Sequence, residues 1–514
     1  MTLSTYRLAF CRWISKHLAT SQRISARTTT LLAMLIFVIS FSVKSLHAVD
    51  LEPMMHTREQ PGAGMSREFD SLAISMDAGQ GILLPKIEDK SDTFLLAVAP
   101  GYPIFLSTVY RAKARSYFTV QLVQNLLNSI SPVLLFLIAG HLVSWRVGLT
   151  AGLIAAVNHH LSYYSNLILS DALCALPVLV AIYIVVRAGF RGQGRSWAYA
   201  LAGFFIGIGC WIRPNFLLLG PLVAALLVLL GGINRRAVIN GLLVISISFL
   251  TVAPITIRNY LLYDEFVPIR IGFGIVLWEG LGDASGGEFG ALTDDEVTAQ
   301  DVALYGDQRY SASWSTPDGI KRDRARVRRS LDVIKEHPIW YLGSVFGRMA
   351  GMLKDTADAP LVFRRNDTRL LEALNQARAQ NPDSDRRRED PESIDRSALA
   401  VGRSVSWLRT GARALQRITK ETGLLFIVIG FGAFLFATPR RTLIISLVPL
   451  YFFLVQPVMH TEFRYILTMR YFLFVFAGIV WTLLLALAVM AVKSALPNTP
   501  EQANNVSLIN ADPS

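Results

Sequence analysis

Ten apolar stretches, each long enough or nearly long enough to cross a lipid bilayer, set the limits on what this chain can become. They fall at about residues 29–47, 117–142, 147–161, 164–187, 197–212, 214–231, 236–255, 421–438, 441–458 and 470–493. A helix needs about 20 apolar residues to cross the hydrocarbon core. With 52% hydrophobic residues, only 17% charged residues and a mean hydropathy of +0.40, the 514-residue chain has more apolar surface than a water-soluble core can hide. Inside a bilayer every backbone polar group must be satisfied within the protein, which restricts spanning structures to helices and closed barrels. Uninterrupted apolar runs of this length select helices, so the expected fold is an all-α integral membrane protein with about ten transmembrane helices.

The net charge of +12 raises the question of nucleic acid. In a membrane chain an excess of Lys and Arg sets orientation and meets anionic headgroups, and that reading excludes a nucleic-acid partner in favour of membrane lipids. Cys11, Cys174 and Cys210 are far apart and lie in or near apolar runs, so they read as small buried hydrophobes. The first 28 residues carry Arg7, Arg12, Lys16, Arg23 and Arg27 and no acid, which reads as a basic cytoplasmic tail before a first span; a cleaved signal peptide is the competing reading.

The parity of the spans turns on TFLLAVAPGYPIFLSTVY at 93–110, an apolar segment broken by Pro-Gly-Tyr-Pro. Leaving it on the outer surface places Arg146, then Arg187, Arg191 and Arg195, then Arg235 and Arg236, and finally Arg440 and Arg441 in the cytoplasm, as the positive-inside rule requires. It also leaves Arg111, Lys113 and Arg115 outside, as a surface turn or as a landing site for an anionic headgroup. The resulting organisation is a tail at 1–28, a transmembrane module at 29–255 containing a first outer loop at 48–116, a large outer loop at 256–420, C-terminal spans at 421–493 and a disordered cytoplasmic tail at 494–514. Both termini are then cytoplasmic, in the plasma (inner) membrane of a prokaryote. Within the large loop, 331–353 and 397–418 mix apolar and basic residues at helical spacing and read as helices lying in the outer interface, while 364–396 reads as solvated.

The chemistry-bearing residues collect on the outer side. Residues 65–82 form an amphipathic helix with Met65, Phe69, Leu72, Ala73 and Met76 on one face and Glu68 and Asp70 on its flanks, which are ordinary surface charges or acids held at a membrane-surface site. Asp171 lies about two turns below the outer end of an apolar span, where a carboxylate is costly unless a partner or a function holds it. His159 and His160 precede it; adjacent histidines diverge on a helix, so a metal site there is the weaker reading. Arg213, Arg258 and Arg464 stand at outer helix ends and either snorkel to the interface or clamp a phosphate, Arg464 beside Tyr465 and Glu462, Arg258 beside Asn259 and Tyr260.

The segments PGYPIFLSTVY, LSDAL, GFFIGIGCWIRPNFLLL, APITIRNYLLYDEFVPI and EFRYILTMRYFLFVFAG occur in the order found in one family. The chain resembles the prokaryotic relatives of dolichyl-phosphate-mannose protein mannosyltransferases and aminoarabinose transferases of the GT-C superfamily, from about residue 65 to 480. The resemblance implies a GT-C-like architecture with outer juxtamembrane helices. It also implies a polyprenyl-phosphate-linked sugar donor, a lipid, glycan or protein acceptor, catalysis in a cavity at the outer membrane face, and inversion at the anomeric carbon. It further implies an acid in the first outer loop, four residues before an aromatic; here that position is Met65, before Phe69. On a helix Glu68 lies roughly 60° from position 65 and Asp70 roughly 140° away, which ranks Glu68 first and Asp70 second as the base. The family's second acid falls on Asp171. Arg213, Arg258, Arg464 and Tyr465 are then the expected donor-phosphate ligands, with or without a divalent cation. A glycan ligase or polymerase of the O-antigen type and a non-enzymatic lipid transporter or flippase are the competing functions.

Overall fold

The computed structural model describes residues 24–52, 55, 63–79, 98–113, 115–189, 194–306, 319–354, 359–362 and 406–495. The basic segment before Ile24, the 364–396 stretch and the tail from Pro497 lie outside them. The described chain is all-α, with helices α1 (Ala26–Leu51), α2 (Ala63–Asp77), α3 (Gly101–Ala112), α4 (Tyr117–Asn128), α5 (Ile130–Leu142), α6 (Trp145–Val157), α7 (His159–Tyr164), α8 (Ala175–Ala188), α9 (Ser196–Ile212), α10 (Leu219–Gly231) and α11 (Arg235–Tyr263). There follow α12 (Phe273–Ser285), α13 (Asp294–Tyr305), α14 (Gly319–Glu336), α15 (Pro338–Leu353), α16 (Ser406–Ala437), α17 (Pro439–Ile445), α18 (Leu447–Val455) and α19 (Leu467–Ala495).

Among the described residues, seven helical segments are long and apolar enough to cross a membrane: 26–51, 117–142, 170–188, 214–231, 235–263, 407–437 and 463–492. The pair 439–445 and 447–458, bent by 58°, makes an eighth if it is one span, and α6 and α9 are shorter apolar helices. These segments coincide with the apolar stretches of the sequence, although only seven or eight meet the length expected of a full crossing. Bare apolar side chains such as Leu242, Leu250, Ile257 and Leu261 line the outside of α11, a surface suited to lipid rather than water. Helix contacts rely on small residues: a Cβ on Gly203 would meet the Val244 carbonyl oxygen at 2.6 Å, so α9 and α11 touch backbone to backbone.

The helices sort the chain's polar residues to two ends. Arg146 begins α6, Arg187 closes α8, Arg195 precedes α9, Arg235 and Arg236 open α11, and Arg440 and Arg441 open α17, all at one end. The opposite end carries α2, α3, the turn after α9, the segment after α11 and the turn before α19. The broken 93–110 segment contributes α3, whose 12 residues reach about 18 Å and cannot cross. It lies against α2 instead, with the Phe69 and Tyr102 rings 5.0 Å apart. Phe69, Leu72, Ala73 and Met76 form the buried face of α2, as the periodicity predicts.

Between α7 and α8 the backbone is irregular from Ser165 to Cys174, and buried amides of α4 satisfy it. Gln121 donates to the Asn166 carbonyl at 2.9 Å, and Gln124 donates to the carbonyls of Ser165 and Leu167 at 3.0 and 3.2 Å. Asn125 donates to the Asn166 side chain at 2.8 Å. Non-helical backbone survives beside apolar spans only where protein supplies such partners. Asp171 consequently sits in a 3-10 turn at the very start of its span, not two turns inside it, because the helix begins later than the apolar run does.

The segment between α11 and α16 packs on this end. Asp323 of α14 caps α12 by accepting from Gly274 and Ile275 N–H at 3.0 and 3.3 Å. Asp301 of α13 holds the fully buried Arg322 and Arg326 of α14. Arg348 of α15 donates to the Gly280 carbonyl at 2.6 Å and the Pro457 carbonyl at 2.7 Å, joining α12 to the turn after α18. α15 bears an exposed apolar stripe of Ile339, Leu342 and Phe346, the pattern expected of an interfacial helix. The described part of the other expected interfacial stretch, from Ser406, is continuous with the span in α16 rather than a separate helix.

Candidate active site

Three arginines from separate segments gather around Tyr465. Arg213, in the break between α9 and α10, pairs with Asp171 and lies over the Tyr465 ring, 4.4 Å from its centre. Pro214 stops α9 here and forces the turn that turns Arg213 inward. Arg464, in the 3-10 turn before α19, lies 5.2 Å from the same ring and donates to Glu462 at 2.7 Å. Its other amino group is 3.8 Å from the Met65 sulfur. Arg270, in the extended return after α11, interacts electrostatically with Tyr465, Glu68, Asp323 and Arg464, and burial pushes its guanidinium below the ordinary arginine range.

Glu68 is half-buried on α2 beside Arg270. Burial raises its carboxyl above the usual range; Arg270 pulls it down and Asp294 pushes it further up. Asp70, one residue beyond the next, is committed elsewhere: it accepts from Tyr110 at 2.7 Å and Tyr117 at 3.4 Å and pairs with Arg115. Arg111 likewise braces α2, donating to Asp77 at 3.0 Å and to the Met76 carbonyl at 2.8 Å. Arg111 and Arg115 thus tie down a surface turn.

A second set of charges joins α12 to the turn before α19. His460 is hydrogen-bonded to Asp283 of α12 and lies 3.7 Å from Glu462. Burial works to lower the imidazole, but its bonds to Asp283 and Glu462 prevail and carry it to about 10. Burial works to raise Glu462, but the bonds and charges of His460 and Arg464 hold it at about 2. A Cβ on Gly280 would meet the His460 backbone nitrogen at 2.5 Å, so glycine there is what lets α12 reach this turn. Nearby, burial and the carboxylate of Asp294 push Glu279 up to about 8.

Of the residues singled out from sequence, the structure brings together Glu68, Asp171, Arg213, Arg464 and Tyr465, with Met65 at their edge. It sets Asp70 in the α2–α3 bracing network. Arg258 is buried and donates to Asn259 at 2.9 Å, and Asn259 donates to the carbonyls of Val267 and Ile269 at 3.1 and 3.0 Å. Arg258 therefore braces the segment that carries Arg270. Arg270, His460, Asp283 and Glu279 were not singled out; Arg270, a lone cation in the apolar FVPIRIGF, carried the same signal as Arg213. The rings of His159 and His160 touch, with centres 3.9 Å apart and planes tilted by 43°. Among the described residues no group of three or more His, Cys, Asp or Glu side chains is placed to hold a metal ion, and Asp171 and Glu462 are already taken by arginines. The donor set does not fit a protein-held cation.

Residues 97–257 match the family described as dolichyl-phosphate-mannose-protein mannosyltransferase. The match covers α3 to α11, and so includes Asp171 and Arg213; it bears out the resemblance read from the motifs. Among curated proteins, none matches this chain. The family match together with the apolar helices supports a multi-pass membrane glycosyltransferase of the GT-C type.

Proposed function

We propose that this protein transfers a sugar from a polyprenyl-phosphate-sugar donor to an acceptor at the outer face of the membrane, with inversion at the anomeric carbon. The observation that carries this reading is the convergence of Arg213, Arg270 and Arg464 on one end of the bundle, in a chain whose 97–257 segment matches a mannosyltransferase family. Three guanidiniums in a half-buried setting suit a phosphate that gains negative charge as it leaves.

In the reaction the acceptor oxygen attacks the anomeric carbon from the face opposite the phosphate. The bond between carbon and phosphate oxygen breaks, and polyprenyl phosphate departs with the electron pair. The acceptor's proton passes to Glu68, whose raised carboxyl makes it a stronger base than an exposed glutamate. Asp171 keeps Arg213 turned toward the site. Arg464, held by Glu462, and Arg270 meet the leaving phosphate.

The test is incubation of purified protein in nanodiscs with radiolabelled polyprenyl-phosphate sugars and membrane extract. Release of polyprenyl phosphate coupled to label on an acceptor is the expected result. A protein that moves labelled lipid between leaflets without breaking the sugar bond, or that transfers only from polyprenyl-diphosphate glycans, contradicts the proposal.

A further inference from the structure

We propose a second lipid site, separate from the arginine cluster, in a groove between α16 and α19 that takes the phosphate head of an anionic lipid between Lys420 and Arg470 and its hydrocarbon chain along the apolar walls below. The groove is lined on α16 by Lys420, Leu424 and Ile427 and on α19 by Arg470, Leu473 and Phe474. The spacings are i, i+4, i+7 and i, i+3, i+4, so each helix presents one cation and then apolar residues on the same face, one and two turns deeper on α16 and one turn deeper on α19. Both cations sit at the end of the bundle that carries the candidate active site, with Arg470 the fourth residue of α19. A charge pair at the rim above apolar walls complements a molecule with an anionic head and a hydrocarbon tail, and a neutral lipid makes no use of the pair.

Arg470 is not an arginine that merely reaches for water. It donates to the Lys354 carbonyl at 3.1 Å, which ties it to the end of α15, and its guanidinium lies 3.9 Å from the centre of the Phe463 ring. That ring packs on His160, with centres 4.2 Å apart, while Arg464, the next residue in the chain, meets Met65 and Glu462. Arg470 and Arg464 therefore have separate partners, and the groove lining contains none of Arg213, Arg270 or Arg464. A lipid seated there holds its phosphate beside the site without occupying the donor's ligands, as a lipid-borne second reactant or a departing carrier requires. The inference does not depend on the transfer chemistry.

The experiment uses the full chain in detergent micelles and farnesyl phosphate carrying a photoreactive diazirine on its chain, with adducts mapped by mass spectrometry. Labelling is expected at 424–427 and 473–474. It should fall by roughly tenfold or more when the alcohol analogue replaces the phosphate, and by as much in the Lys420→Gln/Arg470→Gln double variant, since each hydrogen bond to a charged group is worth about 1.5–3 kcal/mol. Lys420→Arg should keep the labelling. Lys420 is exposed, so the single Lys420→Gln variant, expected to label several-fold less, serves if the double variant does not fold. Equal labelling by the alcohol, labelling untouched in the glutamine variants, adducts elsewhere only, or full competition by inorganic phosphate at the same concentration would each overturn the proposal. None of these outcomes bears on sugar transfer, which is read separately by donor turnover.

Discussion

The guanidinium of Arg464 lies 3.8 Å from the sulfur of Met65. A thioether there brings no charge, so the carboxylate partner of Arg464 is Glu462 from its own turn, with Nε to carboxylate oxygen at 2.5 Å. The acid on the same helix that faces the cluster is Glu68, three residues on, whose electrostatic neighbour is Arg270. The charges around Met65 are thus supplied by Glu462 and Glu68, each with its own arginine.

Arg464 should be sensitive to substitution in a way a snorkelling arginine is not. Lysine keeps the charge but loses the planar fork that meets Glu462 and a phosphate together. Arg464→Lys should raise the donor KM by roughly ten- to a hundred-fold, the value of one hydrogen bond to a charged group, and Arg464→Ala should nearly abolish turnover. Donor-concentration kinetics in nanodiscs, with folding checked separately, give the answer.

Asp70 should act on stability. It is 4% exposed and holds Tyr110, Arg115 and Tyr117 together. Asp70→Asn leaves Arg115 without its carboxylate; breaking a buried pair costs about 3–5 kcal/mol, and the partial exposure of Arg115 puts this case toward the lower end. Thermal unfolding in detergent should shift down, while turnover per folded molecule stays close to wild type.

The α12–α13 segment should loosen as pH rises. His460 titrates at about 10 when folded against an ordinary 6.5, so its contribution to stability is full below about 6.5 and is lost as pH passes about 10. Glu279, at about 8 against an ordinary 4.5, has the same sign: its contribution is full below the lower value and gone above the higher. Hydrogen exchange of α12 and α13 should therefore quicken, after correction for intrinsic rate, between neutral pH and pH about 10. Asp283→Asn should quicken it already at neutral pH.

The charge asymmetry should set orientation. A cysteine replacing Arg236, at the end rich in short-loop arginines, should react with a membrane-impermeant maleimide only after permeabilisation, and one replacing Lys321 should react in intact cells. Both are exposed, so reagent access is not the obstacle. Reaction of both from one side would contradict the parity of the spans, and reversed accessibility would move the candidate site to the other face.

The spans were legible because apolar length is a one-dimensional signal, and α2 was legible because its buried face repeats at helical spacing. The individual acids and arginines were legible as residues that apolar surroundings penalise. Which of them meet was not, since Asp171 with Arg213 and Met65 with Arg464 depend on packing between segments 42 and 399 residues apart. Asp70 and Glu68 were ranked by helical angle alone. Their separation follows from Tyr110, Arg115 and Tyr117, which sequence spacing does not connect to α2. Arg258 looked like a ligand because it ends a span, yet its partner Asn259 is its own neighbour. Arg270 follows a span by several residues rather than ending one, so its approach to Glu68 and Tyr465 depends on the return of the chain after α11.

The most direct test is the rate at which wild-type protein and Glu68→Gln release polyprenyl phosphate from a labelled polyprenyl-phosphate sugar, in matched nanodisc preparations with acceptor present. Glutamine keeps the shape and removes only the proton acceptor, and a general base contributes roughly a hundred- to ten-thousand-fold. The account predicts wild-type turnover, a fall of that size in the variant with donor binding retained, and an acid limb in the wild-type pH profile lying above the ordinary glutamate range, as the raised carboxyl requires. A variant that releases polyprenyl phosphate at the wild-type rate, or a wild type that releases none, would contradict it.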